Sequence, residues 1–420
     1  MRSLNQATSD FRPDSVGWYV HLPFCRTKCG YCDFYSLPTL PHLTEQLISA
    51  ICREITERNP NRPVESVFIG GGTPTELPAD ALDRLLRFIS ERTGASRAAD
   101  GFEWTVEANP TSTSELKLQT LIAAGVNRIS FGAQSFNEDD LRVLERLHDP
   151  KHIHESVAAA REAGFRNINL DLIYGIPGQT LDRWRDTLRR AIDLNTDHLS
   201  CYSLMYEDGT ALTRQRAEGR LTPCDEDLET DMFHLTTEEL TAAGFDQYEI
   251  SNFAKAGREC RSNVIYWENR EYLGVGPSAV SYLDGLRIRN IPDVRRYCEK
   301  IFDDPASIIV DRETLPPRER AGETAVQMLR LTRGIDKSLF KDRTGFDADD
   351  LFSDSIRRFK DMGLIEGDER SIRLTRSGFL VANRIMQEFL LNDDGAGRSQ
   401  PLPRSFALPV VQADEPFAAS

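Results

Sequence analysis

Cys25, Cys29 and Cys32 lie within one short run, CRTKCGYC. Thiolates at this C-x3-C-x2-C spacing are metal ligands, and their number is informative. Four thiolates fill every iron of a cubane, whereas three leave one iron open. An open iron can be chelated by the amino and carboxylate groups of S-adenosylmethionine. An electron passed to the sulfonium then breaks a carbon–sulfur bond and releases a deoxyadenosyl radical. A structural zinc site is the alternative, but the chain continues DFYSLP, with no fourth Cys or His at zinc spacing. The expectation is a [4Fe-4S] cluster on Cys25, Cys29 and Cys32, with exchangeable S-adenosylmethionine. Cys52, Cys201, Cys224, Cys260 and Cys298 are isolated and read as small buried hydrophobes.

Such a loop needs a scaffold, and the flanking pattern supplies one. Short β-type runs at 17–22, 64–69, 102–107, 127–132, 166–174 and 198–204 alternate with helical stretches, as in parallel strands with helical crossovers. The expected fold is α/β, a six-unit partial (β/α) barrel over 16–245. Pattern alone also allows a doubly wound sheet. Barrels carry chemistry at the carboxyl ends of their strands, and the cysteine run directly follows the first one. Residues 246–315 read as a less regular connecting region. Residues 316–392 read as a winged-helix-like α+β module, with helices through GETAVQMLRL, LFKDR, DLFSDSIRRFKDMG and SGFLVANRIMQEFL around a hairpin, IEGDERSIRLT. The start, 1–15, is expected to be flexible, and the Pro-, Gly- and Ala-rich tail, 393–420, disordered.

Composition narrows the partners. The 51 basic and 66 acidic residues give a formal charge of −15, which disfavours phosphate backbones and with them nucleic acid, despite the winged-helix-like end. No apolar run is long enough for a membrane span, and the start lacks a signal-peptide core, so the expected location is the cytoplasm.

The runs YVHLPFCRTKCGYCDF, GGGTPTEL, VEANP, GAQSFNEDDLRVLERLH and NLDLIYGIPGQT, with the C-terminal module, carry a family resemblance. From about Trp18 to Leu390 the chain resembles radical S-adenosylmethionine proteins of the coproporphyrinogen dehydrogenase (HemN-like) group, and most of all their heme chaperone branch, HemW. The resemblance implies that Tyr19, Tyr31, Gly72, Thr73, Pro74, Glu107, Gln134, Arg146 and Asp171 surround S-adenosylmethionine. Several have a physical reading of their own. Gly70, Gly71 and Gly72 end the second strand without side chains, so backbone can approach a ligand closely, or simply turn. Glu107 can accept ribose hydroxyls, or be a paired rim residue. An acid such as Asp171 inside an apolar strand is costly unless partnered.

Two departures bear on function. Dehydrogenases of the group carry a further cysteine two residues past the last ligand and an additional N-terminal segment; here Phe34 takes that place and only about 16 residues precede the first strand. Both favour a chaperone that transfers heme to an acceptor protein over an oxidoreductase acting on a porphyrinogen. The heme-associated HNxxYW motif of the branch reads SNVIYW, with Ser262 in place of His. A hydroxyl is a poor axial ligand, so Ser262→His is expected to improve heme retention. Cys260 or Tyr266 could substitute, or simply pack, and His21, close to the cysteine run, is a further candidate.

Overall fold

The computed structural model describes residues 14–97 and 101–391. The expected flexible start, apart from Asp14 and Ser15, and the expected tail lie outside the described residues. Six strands run parallel and in sequence order: β1 (Val16–Leu22), β2 (Val64–Gly71), β3 (Glu103–Ala108), β4 (Arg128–Gln134), β5 (Ile168–Tyr174) and β6 (His198–Ser203). The crossovers are α1 (Pro41–Arg58), α2 (Ala79–Arg97), α3 (Glu115–Ala124), α4 (Glu138–Val143) with α5 (Pro150–Ala163), and α6 (Leu181–Asp193).

Alternation along each strand sorts the residues into two faces. Trp18, Val20, Val67, Ile69, Trp104, Val106, Ile129, Phe131, Leu170, Leu172 and Leu199 join the core beneath the helices, where α1 contributes Leu43, Leu47, Ile51 and Ile55. The opposite face presents Tyr19, His21, Ser66, Glu107, Arg128, Ser130, Asn169, Asp171, His198 and Ser200. This polar face lines the inside of the partial barrel.

The stretch 246–315 is not a separate connector: it continues the same sheet from both sides. β7 (Asp246–Gln247) and β8 (Asn252–Ala254) add antiparallel strands beyond β6. On the other flank β9 (Tyr272–Val275) pairs parallel to β1, followed by the antiparallel β10 (Val280–Leu283), β11 (Leu286–Asn290) and β12 (Ile309–Thr314). Glu54 of α1 ties this flank down. Its buried carboxylate accepts from Gly276 N at 2.8 Å, Asn290 Nδ2 at 2.8 Å and the Tyr297 hydroxyl at 2.5 Å, and pairs with Arg58.

The C-terminal module closes a core of its own around Val326, Phe340, Phe352, Phe359, Ile372 and Phe389. Its hairpin pairs Ile365–Gly367 with Ser371–Leu374. Two runs expected as single helices are each broken, at Phe352 (φ −117°) and Val381 (φ −120°). Phe352 leaves the helical path where its ring packs between Phe340 and Phe389, with centroids at 6.0 and 4.9 Å. Nothing in the structure explains the break at Val381. No helix among the described residues is long and apolar enough to cross a membrane.

Candidate functional site

The cysteine loop is closed by a two-residue parallel pairing of Phe24–Cys25 with Leu37–Pro38 at the carboxyl end of β1. Cys32 N donates to Cys29 O at 3.1 Å, and Leu212 N donates to Gly30 O at 2.8 Å, seating the loop against the segment that follows β6. Burial is the main cause holding the Cys25 and Cys32 thiols above their usual range, and charge on neighbouring cysteines of the loop adds to it. Among the described residues no three Cys, His, Asp or Glu side chains converge tightly enough for a single metal ion. A cubane asks for a different arrangement, one thiolate per iron.

Two sequence-expected residues reach the thiols. Thr73 Oγ1 lies 3.8 Å from Cys25 Sγ, and Arg146 Nη1 lies 3.5 Å from Cys29 Sγ. Arg146 is aimed there by local structure. Asn137 caps α4, Glu145 takes a left-handed φ of +54° just past its end, and Arg146 N donates back to Leu141 O at 2.9 Å. The guanidinium also donates to Gly132 O at 2.8 Å and to Asn109 Oδ1, while Asn109 Nδ2 donates to Thr73 Oγ1 at 3.2 Å. Asn109, within VEANP, thus joins the two residues that touch thiols. Its place in that run, directly after β3, was the available signal.

Tyr31 packs with Leu144, Ile173, Ile176 and Leu204, and burial raises its phenol above the usual value. Pro74 opens a short 3₁₀ turn after Thr73. Gln134 sits at the end of β4 with φ +64°, where the register with β5 shifts, a strained bulge of the kind that re-aims a side chain. The glycines are demanded by protein contacts. A Cβ at Gly70 would strike the Glu107 carboxylate, at Gly71 (φ +101°) the His21 ring, and at Gly72 the Phe24 carbonyl at 2.6 Å.

Within the otherwise buried strands, Gly71, Glu107, Gly132, Asp171, Tyr202 and Ser203 are the positions that keep partial access. Glu107, Gly132, Asp171 and Tyr202 face the barrel interior. Glu107 Oε2 accepts Gly71 N at 3.1 Å. Asp171 is fully partnered in the way its strand position requires, by Ser130 Oγ at 3.0 Å and Asn169 Nδ2 at 2.9 Å. Burial, and next the Asp171 charge, push the Glu107 carboxyl up to about 8. A folded-state value above the unfolded one means that Glu107 adds stability at low pH, fully below about pH 4.5, and that this is lost as pH rises through about 8. Glu107→Gln, which keeps a neutral acceptor for Gly71, is therefore expected to flatten the ligand-free stability profile and gain on wild type by at most about 5 kcal/mol at high pH. Urea midpoints at about pH 5 and about pH 8.5 check this, and parallel profiles would contradict it.

The 260–267 segment meets the barrel nearer the amino-terminal ends of the strands, with Cys260 joining the cluster of Tyr19, Tyr35 and Phe68. Its helix, Arg261–Trp267, packs against β2, with Ser262 Oγ 3.1 Å from Ser66 Oγ near the amino-terminal end of that strand. Ser66 and Gly71 are five residues apart, roughly 16 Å of strand. Cys260 Sγ donates to Glu103 Oε1 at 3.5 Å, and burial pushes its thiol up to about 12. Tyr266 packs edge-on to Tyr272 at 4.6 Å. His21 has both ring nitrogens engaged, by the Tyr19 hydroxyl at 3.0 Å and Tyr35 O at 2.8 Å. In this structure all four make these protein contacts. Ser262→His, expected from the resemblance to improve heme retention, also places a larger ring in a buried site, at an expected cost of about 1–3 kcal/mol. Denaturant midpoints and hemin titration of the variant check both halves.

The chain is similar to known families and proteins. The Radical SAM superfamily model matches residues 19–191, and the HemN C-terminal domain model residues 315–381. The heme chaperone HemW of Bacillus subtilis is 37% identical over 377 residues, 89% of this chain and 98% of that protein. The chain belongs to the HemW family of radical SAM proteins. HemW of Lactococcus lactis is 33% identical, over 91% of this chain and 98% of that one. The coproporphyrinogen III oxidase HemN from Escherichia coli, a radical SAM enzyme, superposes with a TM-score of 0.76 at 26% identity, over 90% of each chain. In this HemW-family chain the position of the dehydrogenases' further cysteine is held by Phe34, packed against the cluster of Tyr19, Tyr35 and Phe68.

Proposed function

We propose that the chain is a heme chaperone that holds a [4Fe-4S] cluster on Cys25, Cys29 and Cys32, binds S-adenosylmethionine beside it, and passes heme to an acceptor protein. The observation that carries this reading is the meeting of the cysteine loop, Arg146 and the partly open Glu107 and Asp171 at one end of the sheet. The alignment along nearly all of a relative named heme chaperone supports it. The donor set suits the cluster: soft thiolates for iron, with the Arg146 guanidinium at 3.5 Å to offset their negative charge. When bound, the cluster supplies an electron and an open iron. Glu107, with Tyr19 beside it, would hydrogen-bond a ribose hydroxyl, Gln134 Nε2 lies with Arg146 against Gly132, and Asn109 keeps Arg146 and Thr73 in register.

Hemin titration of the reconstituted chain, followed by mixing with a heme-free acceptor protein, tests the reading. Saturable binding and transfer are expected, with no deoxyadenosine released on a porphyrinogen. The superposition on HemN favours a second reading, a radical oxidoreductase acting on a porphyrinogen. Substrate-dependent deoxyadenosine without heme binding would select it.

A further inference from the structure

Inside the barrel, Asp171 ends a hydrogen-bonded chain that reaches well beyond its immediate partners. Asn169 and Asp171 stand two residues apart on the inner face of β5. Asn169 Nδ2 donates to Asp171 Oδ1 at 2.9 Å and to Ser130 Oγ at 2.7 Å, and Ser130 Oγ donates to Asp171 Oδ2 at 3.0 Å. On its other side, Asn169 Oδ1 meets His198 Nδ1 of β6 at 2.6 Å and accepts Ser200 Oγ at 3.3 Å. His198 Nε2 meets the Tyr248 hydroxyl at 2.9 Å, and the oxygen of that hydroxyl accepts Asn263 Nδ2 at 3.3 Å and Cys260 N at 3.4 Å. The chain thus runs from the Arg261–Trp267 helix to Asp171. Asn169, His198, Tyr248 and Asn263 are all buried, and Asp171 is the member that keeps partial access.

The chemistry of the members fixes the direction of the chain. A carboxylate only accepts, so Asn169 turns its amide nitrogen to Asp171 and its oxygen to His198. An amide oxygen also only accepts, so His198 carries its proton on Nδ1. Burial, and next the charge of Arg128, hold the His198 imidazole well below its usual range, so the ring is neutral and Nε2 bears no proton. Nε2 therefore accepts the Tyr248 hydroxyl proton. From Asn263 onward, each of these hydrogen bonds points toward Asp171. Packing alone does not call for such a chain, because an apolar interior of the same shape is no less stable than a fully satisfied polar one. What the chain adds is a fixed rotamer for the carboxylate and a row of aligned dipoles behind it.

We propose that His198 is a positioning residue for S-adenosylmethionine: through Asn169, its Nδ1–H holds the Asp171 carboxylate aimed at the ligand, and Tyr248 keeps the ring in that tautomer. This role rests on the reading of Asp171 as a ligand contact given above.

Calorimetry of S-adenosylmethionine on the reconstituted full chain tests the role through an isosteric pair. His198→Leu and His198→Asn fill nearly the same volume, and only the second offers an N–H toward Asn169. His198→Leu is expected to keep its iron and to weaken binding about fivefold or more, the scale of one lost buried hydrogen bond, while His198→Asn recovers most of that loss. Equal losses in the two variants, the mark of a purely structural residue, would overturn the positioning role. Asp171→Ala separates this role from the reading beneath it. If Asp171→Ala binds like wild type, Asp171 is no ligand contact and both fall; if it weakens binding while His198→Leu does not, the positioning role alone falls. Nitrogen NMR of the histidine-labelled wild type gives a readout that needs no folded Leu variant. The His198 signal, identified by its absence from His198→Asn, should show a neutral ring protonated on Nδ1 from about pH 5 to about pH 8. A His198 ring protonated on Nε2 would overturn the proposal.

Discussion

Cys29→Ala is expected to reduce iron in the anaerobically reconstituted chain from about four per molecule to background, because two thiolates cannot hold three irons of a cubane. The structure adds a reason for choosing this cysteine. Cys29 is the thiol that Arg146 touches, and Cys32 N donates to Cys29 O, so the loop's turn and its electrostatic partner both converge there. Alanine keeps the backbone turn and removes only sulfur, so folding should survive. Cys52→Ala, in α1 and away from the loop, should retain full iron. Iron and sulfide analysis of the pair, with the visible charge-transfer bands, decides the matter. Full iron in Cys29→Ala would remove the ligand assignment.

Glu54→Ala should be the most damaging substitution outside the loop. Its carboxylate gathers a backbone N–H, an amide, a phenol and a guanidinium from α1, β11 and the segments around them. Removing it leaves Gly276 N and the Tyr297 hydroxyl without their acceptor and Arg58 without its charge partner, although Arg58 keeps Ser281 Oγ and Asn290 Nδ2 keeps Gly276 O, at a cost of about 3–5 kcal/mol. The loss should appear as a lower denaturant midpoint with weakened protection of 272–301, since Glu54 joins that flank to the barrel. A midpoint within about 0.5 kcal/mol of wild type would show that the flank is held by apolar packing alone.

The six parallel strands were legible because each is a short apolar or alternating run followed by small or polar residues, and the structure places them within two residues of the expected bounds. The stretch 246–315 was not. Its strands are two to six residues long, and their pairing with β1 and β6 depends on contacts more than 50 residues apart in sequence, which no local pattern records. Glu54 was hidden for the same reason. It is a single acid in an ordinary amphipathic helix, and its partners Gly276, Asn290 and Tyr297 lie over 220 residues away. At the site, Asp171 was visible as an acid interrupting an apolar strand. Asn109 needed the fold, because what marks it is the bridge between Thr73 and Arg146. The placement of the SNVIYW segment was not legible because a motif carries no depth: Ser262 faces Ser66, near the amino-terminal end of its strand.

The proposed function requires three thiolates to hold a cubane whose open iron takes S-adenosylmethionine. Electron paramagnetic resonance of the reduced, reconstituted chain before and after adding S-adenosylmethionine tests it most directly. The expected result is a [4Fe-4S] signal that changes on addition, as the ligand reaches the open iron, and that is absent from Cys29→Ala. A cluster signal that S-adenosylmethionine leaves unaltered, or one that persists in Cys29→Ala, would contradict it.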